Sequence, residues 1–212
     1  MMEFEQLISM LARWGHLLFG ITWIGILYYF NFIQGGYFKS ATPEGLADAK
    51  AKLAPSALWW FRWAAMFTFI TGIILLENVF KIGLTDYIVL GATMGTLMFL
   101  NVWLIIWPNQ KIALGMVEGD AAAAGGKALL ASRTNTLFSA PMVFCMLAGP
   151  HYVGYSASGN LQNTGMLAAL ALIVLLELNA IFGKQGPMTS VRGVIVSSLV
   201  LTAIMVVMLQ MM

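Results

Sequence analysis

Six ionisable side chains fall within apolar stretches of this chain, and two of them are its only histidines. An ionisable group inside a membrane is costly, so each one suggests a functional site. The six residues are Arg13, His16, Arg62, Glu77, His151 and Glu177. Because an imidazole nitrogen can ligate a metal or move a proton near neutral pH, the histidines are the first candidates for chemistry.

His16 shares one helix face with Arg13 and Gly20, at spacings of three and four residues. Glycine one turn away lets a flat ligand approach the backbone, and Arg13 can meet an anionic group on that ligand. A haem b site needs three things from one helix: an axial nitrogen ligand, a small residue that leaves room for the ring, and a cation for a propionate. Alternatively, His16 forms a hydrogen bond to a neighbouring helix and the glycines serve helix packing. The residues alone leave both interpretations open.

A second axial ligand is less clearly marked. His151 follows Gly149 and Pro150, a setting that suits a residue held at a helix end. We predict His151 as the second ligand, with a solvated interfacial histidine as the alternative. Four methionines at suitable positions are further alternatives, although methionine more often fills a core. They are Met94, Met98, Met142 and Met146.

The composition is that of an integral membrane protein. Of the 212 residues, 60% are hydrophobic and only 9% are charged, whereas soluble domains carry roughly 25% charged residues. This excludes a soluble enzyme, a disordered tail and a secreted disulfide scaffold. Cys145 is the only cysteine, which excludes zinc ribbons, ferredoxin clusters and covalently attached c-type haem. A net charge of +2 without a basic cluster gives no footprint for nucleic acid.

The spacing of the charges predicts an all-α polytopic bundle of about six transmembrane helices in one domain, residues 1–212. The helices are expected near 7–33, 57–80, 86–107, 133–153, 163–183 and 190–211. Of the eleven Lys and Arg residues, nine fall on the side opposite the termini, so we expect both termini to be non-cytoplasmic. The connection 108–132 is predicted to form a short amphipathic helix on the membrane surface.

Several motifs resemble a known family. They are RWGH at 13–16, GITWIG at 20–25, LWWFRW at 58–63, WPNQK at 107–111 and SRTNT at 132–136. In this order they resemble the membrane domain of urate hydroxylases, the urate oxidase N-terminal family. The first helix is also similar to that of membrane-bound protoporphyrinogen oxidases, which bind haem b. His16 matches both patterns.

The resemblance implies a bacterial inner-membrane protein that binds haem b and passes electrons to a cytochrome or a quinone. Because the chain has no CxxCH motif, a c-type cytochrome would be a separate protein. The alternative is a non-catalytic accessory subunit of a larger respiratory or monooxygenase complex, and a small-molecule transporter comes third. The sequence assigns neither a substrate nor a catalytic residue.

Overall fold

All regular structure in this protein is helical. The computed structural model describes residues 2–152 and 163–211; 91% of it is helix, and the described residues contain no strand. The α-helices of the described residues are α1 (Met2–Tyr28), α2 (Gly35–Ser40), α3 (Pro43–Asp48), α4 (Ala54–Ile82), α5 (Asp86–Leu100), α6 (Trp107–Ala113), α7 (Ala121–His151), α8 (Thr164–Phe182) and α9 (Val191–Met211).

Five helical segments in the described part of the chain are long and apolar enough to cross a membrane. They are Phe4–Ser40, Pro43–Lys81, Asp86–Ala113, Thr164–Phe182 and Val191–Met211. Large apolar side chains stay exposed along them, as at Ile21, Leu104 and Phe182, where lipid chains can cover them. The prediction of an all-α polytopic membrane protein is therefore confirmed.

The fourth predicted span, 133–153, falls largely within a helix of a different character. Helix α7 has 31 residues, about 46 Å at 1.5 Å per residue, but it is not among the five apolar segments. Every residue from 130 to 139 is buried, and this stretch includes the polar run 132–136. A polar stretch inside the protein lowers the hydropathy of a helix that is long enough to span a membrane.

Helix α7 begins twelve residues before its predicted start at 133. The Asp120 carboxylate accepts hydrogen bonds from the backbone N–H groups of Ala122 and Ala123, each at 3.0 Å, and so caps the helix. Alanine then extends it, since alanine has the highest helix propensity. The connection 108–132, where a separate short amphipathic helix was expected, is instead occupied by the end of α6 at Ala113 and by the first turns of α7 from Ala121. The predicted end at residue 153 lies outside the described residues.

Three π-helical segments join neighbouring α-helices in the described chain. Tyr29–Gln34 connects α1 to α2, Ala49–Leu53 connects α3 to α4, and Asn101–Ile106 connects α5 to α6. The connection expected at 34–56 is therefore largely helical, with its break at residues 41 and 42. Thr42 caps α3 by accepting the Gly45 N–H at 3.2 Å, and proline follows it at the first helical position.

The chain divides into two compact units. The first contains residues 1–72 and 99–132, and the second contains 73–98 and 133–212. In the first unit the Arg62 guanidinium lies 3.7 Å from the centre of the Trp107 ring, a cation–π contact. The Asn31 amide in the same unit donates to the Ser132 hydroxyl at 2.8 Å. A single domain over residues 1–212 stays a prediction.

In the second unit, Pro141 interrupts the backbone hydrogen bonding of α7. Proline has no N–H, so the carbonyl of Leu137, four residues earlier, loses its usual donor. The Ser198 hydroxyl from α9 donates to that carbonyl at 2.8 Å. This bond supplies the missing donor and ties α9 to α7.

At the exposed end of α4, Glu77 pairs with Lys81 at 3.4 Å, one of the helical i, i+4 pairs that the sequence allows.

Candidate functional site

His16 of α1 is held by two oxygen atoms of α4. Its Nδ1 atom lies 2.9 Å from the backbone carbonyl oxygen of Thr68 and 3.1 Å from the hydroxyl oxygen of Thr71. A carbonyl oxygen can only accept a hydrogen bond, so Nδ1 must carry a proton. In a neutral imidazole the lone pair then belongs to Nε2.

Thr71 is itself oriented by the backbone of α4. Its hydroxyl oxygen lies 2.6 Å from the carbonyl oxygen of Phe67 and 3.0 Å from that of Thr68. The single hydroxyl hydrogen is used in that bonding, which leaves the oxygen free to accept from His16. Both acceptors of the imidazole therefore come from one stretch of α4, and they fix the ring orientation in the way that partners of a metal-binding histidine do.

Gly72 makes room for the His16 ring. A Cβ atom at position 72 would lie 3.1 Å from Cε1 of His16, closer than ordinary van der Waals contact. The sequence predicts Gly20 as the residue that leaves room for a ligand. A Cβ atom at position 20 would have only the Thr68 methyl group within 4 Å, at 3.9 Å. The close approach of the ring thus depends on Gly72, whereas a Cβ atom at position 20 would make only an ordinary van der Waals contact with Thr68.

Arg13, which the sequence predicts as a site residue, and Trp23 also lie on α1. Arg13 is one turn before His16, and its side chain is exposed. Trp23 is two turns after His16 and is only 2% exposed. Its indole Nε1–H is buried with no hydrogen-bond partner. A buried unmet donor is uncommon in native proteins, and this one can receive an acceptor from a bound molecule.

His151 does not belong to the same compact unit as these residues. It is the last residue of α7, its side chain is exposed, and it belongs to the second unit. The methionine alternatives Met94, Met98 and Met142 are buried, as expected of core residues. The described residues contain no cluster of three or more His, Cys, Asp or Glu side chains that could hold a metal ion, a type of cluster that a haem iron does not require.

The comparison with protein families decides the ancestry. The family model described as urate oxidase N-terminal matches residues 80–210. The chain belongs to this family. No curated protein and no solved structure matches it. The resemblance based on the sequence motifs is thereby confirmed at the level of the urate oxidase N-terminal family.

The family match covers only part of the candidate site. His151 lies inside residues 80–210, whereas His16 lies before them. The partners of His16, namely Thr68, Thr71 and Gly72, were missed as site residues in the sequence analysis. Their signal is weak, because two threonines three residues apart and a glycine are common features of apolar helices.

Proposed function

We propose that this member of the urate oxidase N-terminal family is a membrane haem b protein with His16 Nε2 as an axial ligand. The observation that carries the proposal is the hydrogen bond from His16 Nδ1 to the Thr68 carbonyl at 2.9 Å. Histidines that ligate metals almost always donate their second ring N–H to a carbonyl, a carboxylate or a water. In the neutral imidazole this bond leaves Nε2 unprotonated, as ligation requires.

The surrounding residues fit a flat ligand on this side of α1. The absence of a side chain at Gly20 lets such a ligand approach the backbone of α1, and the unmet Nε1–H of Trp23 offers a donor to it. Arg13 supplies a cation for a propionate, and His151 is our proposed second ligand. When bound, haem b supplies a one-electron carrier. The contribution of the chain is to fix the imidazole through Thr68 and to exclude water with apolar helices.

The proposed role of the chain is in electron transfer between a donor and a separate c-type cytochrome or a quinone in the bacterial inner membrane. The support is the family membership together with several apolar helices. The role does not require a catalytic side chain for acid–base chemistry. Urate-dependent reduction of a cytochrome by membranes that contain the protein tests the oxidase form of this role.

A pyridine haemochrome assay on protein purified in mild detergent tests the haem. We expect about one haem b per chain in the wild type. The matched variant is His16→Asn, because the asparagine amide can still donate towards the Thr68 carbonyl but offers no ring nitrogen to iron. We expect His16→Asn to fold and to lose the haem. A folded His16→Asn protein with the haem content of the wild type would contradict the proposal.

A rescue experiment separates ligation from packing. His16→Gly removes the ring and leaves a space that free imidazole can fill. We expect added imidazole to restore a b-type spectrum in reconstituted His16→Gly protein, whereas a purely structural histidine gives no such rescue. If the folded wild type contains no haem, the accessory-subunit alternative takes its place, and the stable partners of the protein become the next question.

A further inference from the structure

Arg133 is a buried cation in the middle of α7. The residue is only 8% exposed, and it lies in the continuously buried stretch of residues 130–139. Taking one ion out of water costs roughly several kcal/mol unless another charge and hydrogen bonds compensate it. A buried arginine therefore requires a partner.

Two of the three guanidinium nitrogens of Arg133 have unmet donors. Both Nε and Nη1 are buried with no hydrogen-bond partner. Nε carries one N–H and Nη1 carries two, so three donors await acceptors. The ion pairs found in the described residues, Lys52–Asp48 and Lys81–Glu77, do not involve Arg133. Neither of these two ion pairs therefore supplies a carboxylate to the Arg133 guanidinium.

Two polar residues that follow Arg133 on α7 take part in hydrogen bonds with other groups. The Asn135 amide donates to the Met98 carbonyl at 2.9 Å, and the Thr136 carbonyl accepts from the Ser139 hydroxyl at 2.7 Å. These bonds hold the backbone and side chains around Arg133 in place without using its donors.

We propose that Arg133 is the anchor of a buried binding site for a carboxylate-bearing ligand. One carboxylate carries a single negative charge, which neutralises one guanidinium, and its two oxygens accept up to about four hydrogen bonds. A phosphate or sulfate carries about two charges at neutral pH and leaves one of them uncompensated. The site does not depend on haem ligation by His16 and goes beyond the proposed electron transfer.

The first experiment titrates acetate and benzoate into the ligand-free protein at constant ionic strength and follows the midpoint of thermal unfolding. We expect a saturable rise for the wild type with at least one of the two carboxylates. In Arg133→Gln, whose amide cannot neutralise the charge, we expect the apparent Kd to rise by about 30-fold or more. Arg133→Lys keeps the charge without the planar fork, and we expect it to show an intermediate Kd.

Chloride at the same concentrations is the control for general anion binding. An equal, saturable response to chloride would overturn the carboxylate assignment. The absence of a saturable response to any carboxylate probe, free acid or porphyrin, would overturn the site itself.

A second arm identifies the source of the carboxylate. Mesoporphyrin has two free propionates and its dimethyl ester has none, although the two rings are alike. If the carboxylate is part of a tetrapyrrole, Arg133→Gln weakens binding of mesoporphyrin and leaves binding of the ester unchanged. If it belongs to a diffusible organic acid, acetate or benzoate binding depends on Arg133 while both porphyrins behave alike. Either pattern supports the carboxylate site.

A charge-free variant distinguishes a ligand anchor from a structural residue. Arg133→Met keeps much of the side-chain length and removes the charge. Because replacing an uncompensated buried charge by an apolar group is neutral or stabilising, we expect ligand-free Arg133→Met to unfold at the wild-type temperature or above it. A fall of about 10 °C would show that Arg133 is already compensated within the protein and would overturn the proposal.

Discussion

Gly72→Ala is the perturbation that most directly probes the seat of the His16 ring. The new methyl carbon would lie 3.1 Å from Cε1 and 3.6 Å from Nδ1 of His16, so the ring must move by a few tenths of an ångström. The ring is held at 2.9 Å from the Thr68 carbonyl, and its displacement weakens that bond. We therefore expect the substitution to act through the histidine.

The magnitude follows from two opposing effects. Alanine in a helix interior is more stable than glycine by about 0.5–1 kcal/mol. Loss of an intramolecular hydrogen bond costs about 0.5–1.5 kcal/mol, so the two effects nearly cancel in Gly72→Ala. Gly25→Ala is the matched control, because position 25 is also helical and has nothing within 4 Å of a new Cβ. We expect Gly25→Ala alone to raise the free energy of unfolding.

The assay is equilibrium unfolding of both variants in mixed detergent micelles. Gly72→Ala should be less stable than Gly25→Ala by about 1 kcal/mol. In haem-loaded protein, Gly72→Ala should also shift the Soret band, and Gly25→Ala should not. Equal stabilisation by the two substitutions would refute the inference that His16 is seated against Gly72.

Two further predictions concern α7. Asp120→Ala removes the N-cap and should lower the free energy of unfolding by about 1 kcal/mol, measured in the same micelles; no change would mean that the cap is not used. Ser198→Ala should cost about 0.6 kcal/mol because the Leu137 carbonyl loses its donor. That cost should vanish in a Pro141→Ala background, where residue 141 regains an N–H, and a double-mutant cycle with no coupling would contradict this explanation.

The sequence predicts best the elements whose limits are set locally. Helices α8 and α9 were expected at 163–183 and 190–211, and they lie at Thr164–Phe182 and Val191–Met211. Each is a strongly apolar segment that follows a capping side chain, Asn163 or Ser190. In such cases composition and the cap decide the helix without help from distant residues.

The start of α7 and the partners of His16 depend on weaker or non-local signals. The Asp120 cap precedes an Ala/Gly-rich stretch that has no apolar periodicity, so hydropathy alone placed the helix start near the first polar run. For His16, the periodicity of α1 identified its own face but not the neighbour that it meets. Clearance was consequently assigned to Gly20 on the same helix, whereas the contact is with Gly72 of α4.

The central claim is that His16 Nε2 ligates haem b, and the most direct measurement is a dithionite-reduced minus oxidised spectrum. It should be recorded on wild-type protein and on His16→Asn, purified side by side and shown by circular dichroism to be folded. Our account predicts sharp b-type α and Soret bands in the wild type and less than about a tenth of that amplitude in His16→Asn, as loss of an axial ligand implies. Bands of equal amplitude in the two proteins, or none in the folded wild type, would contradict it.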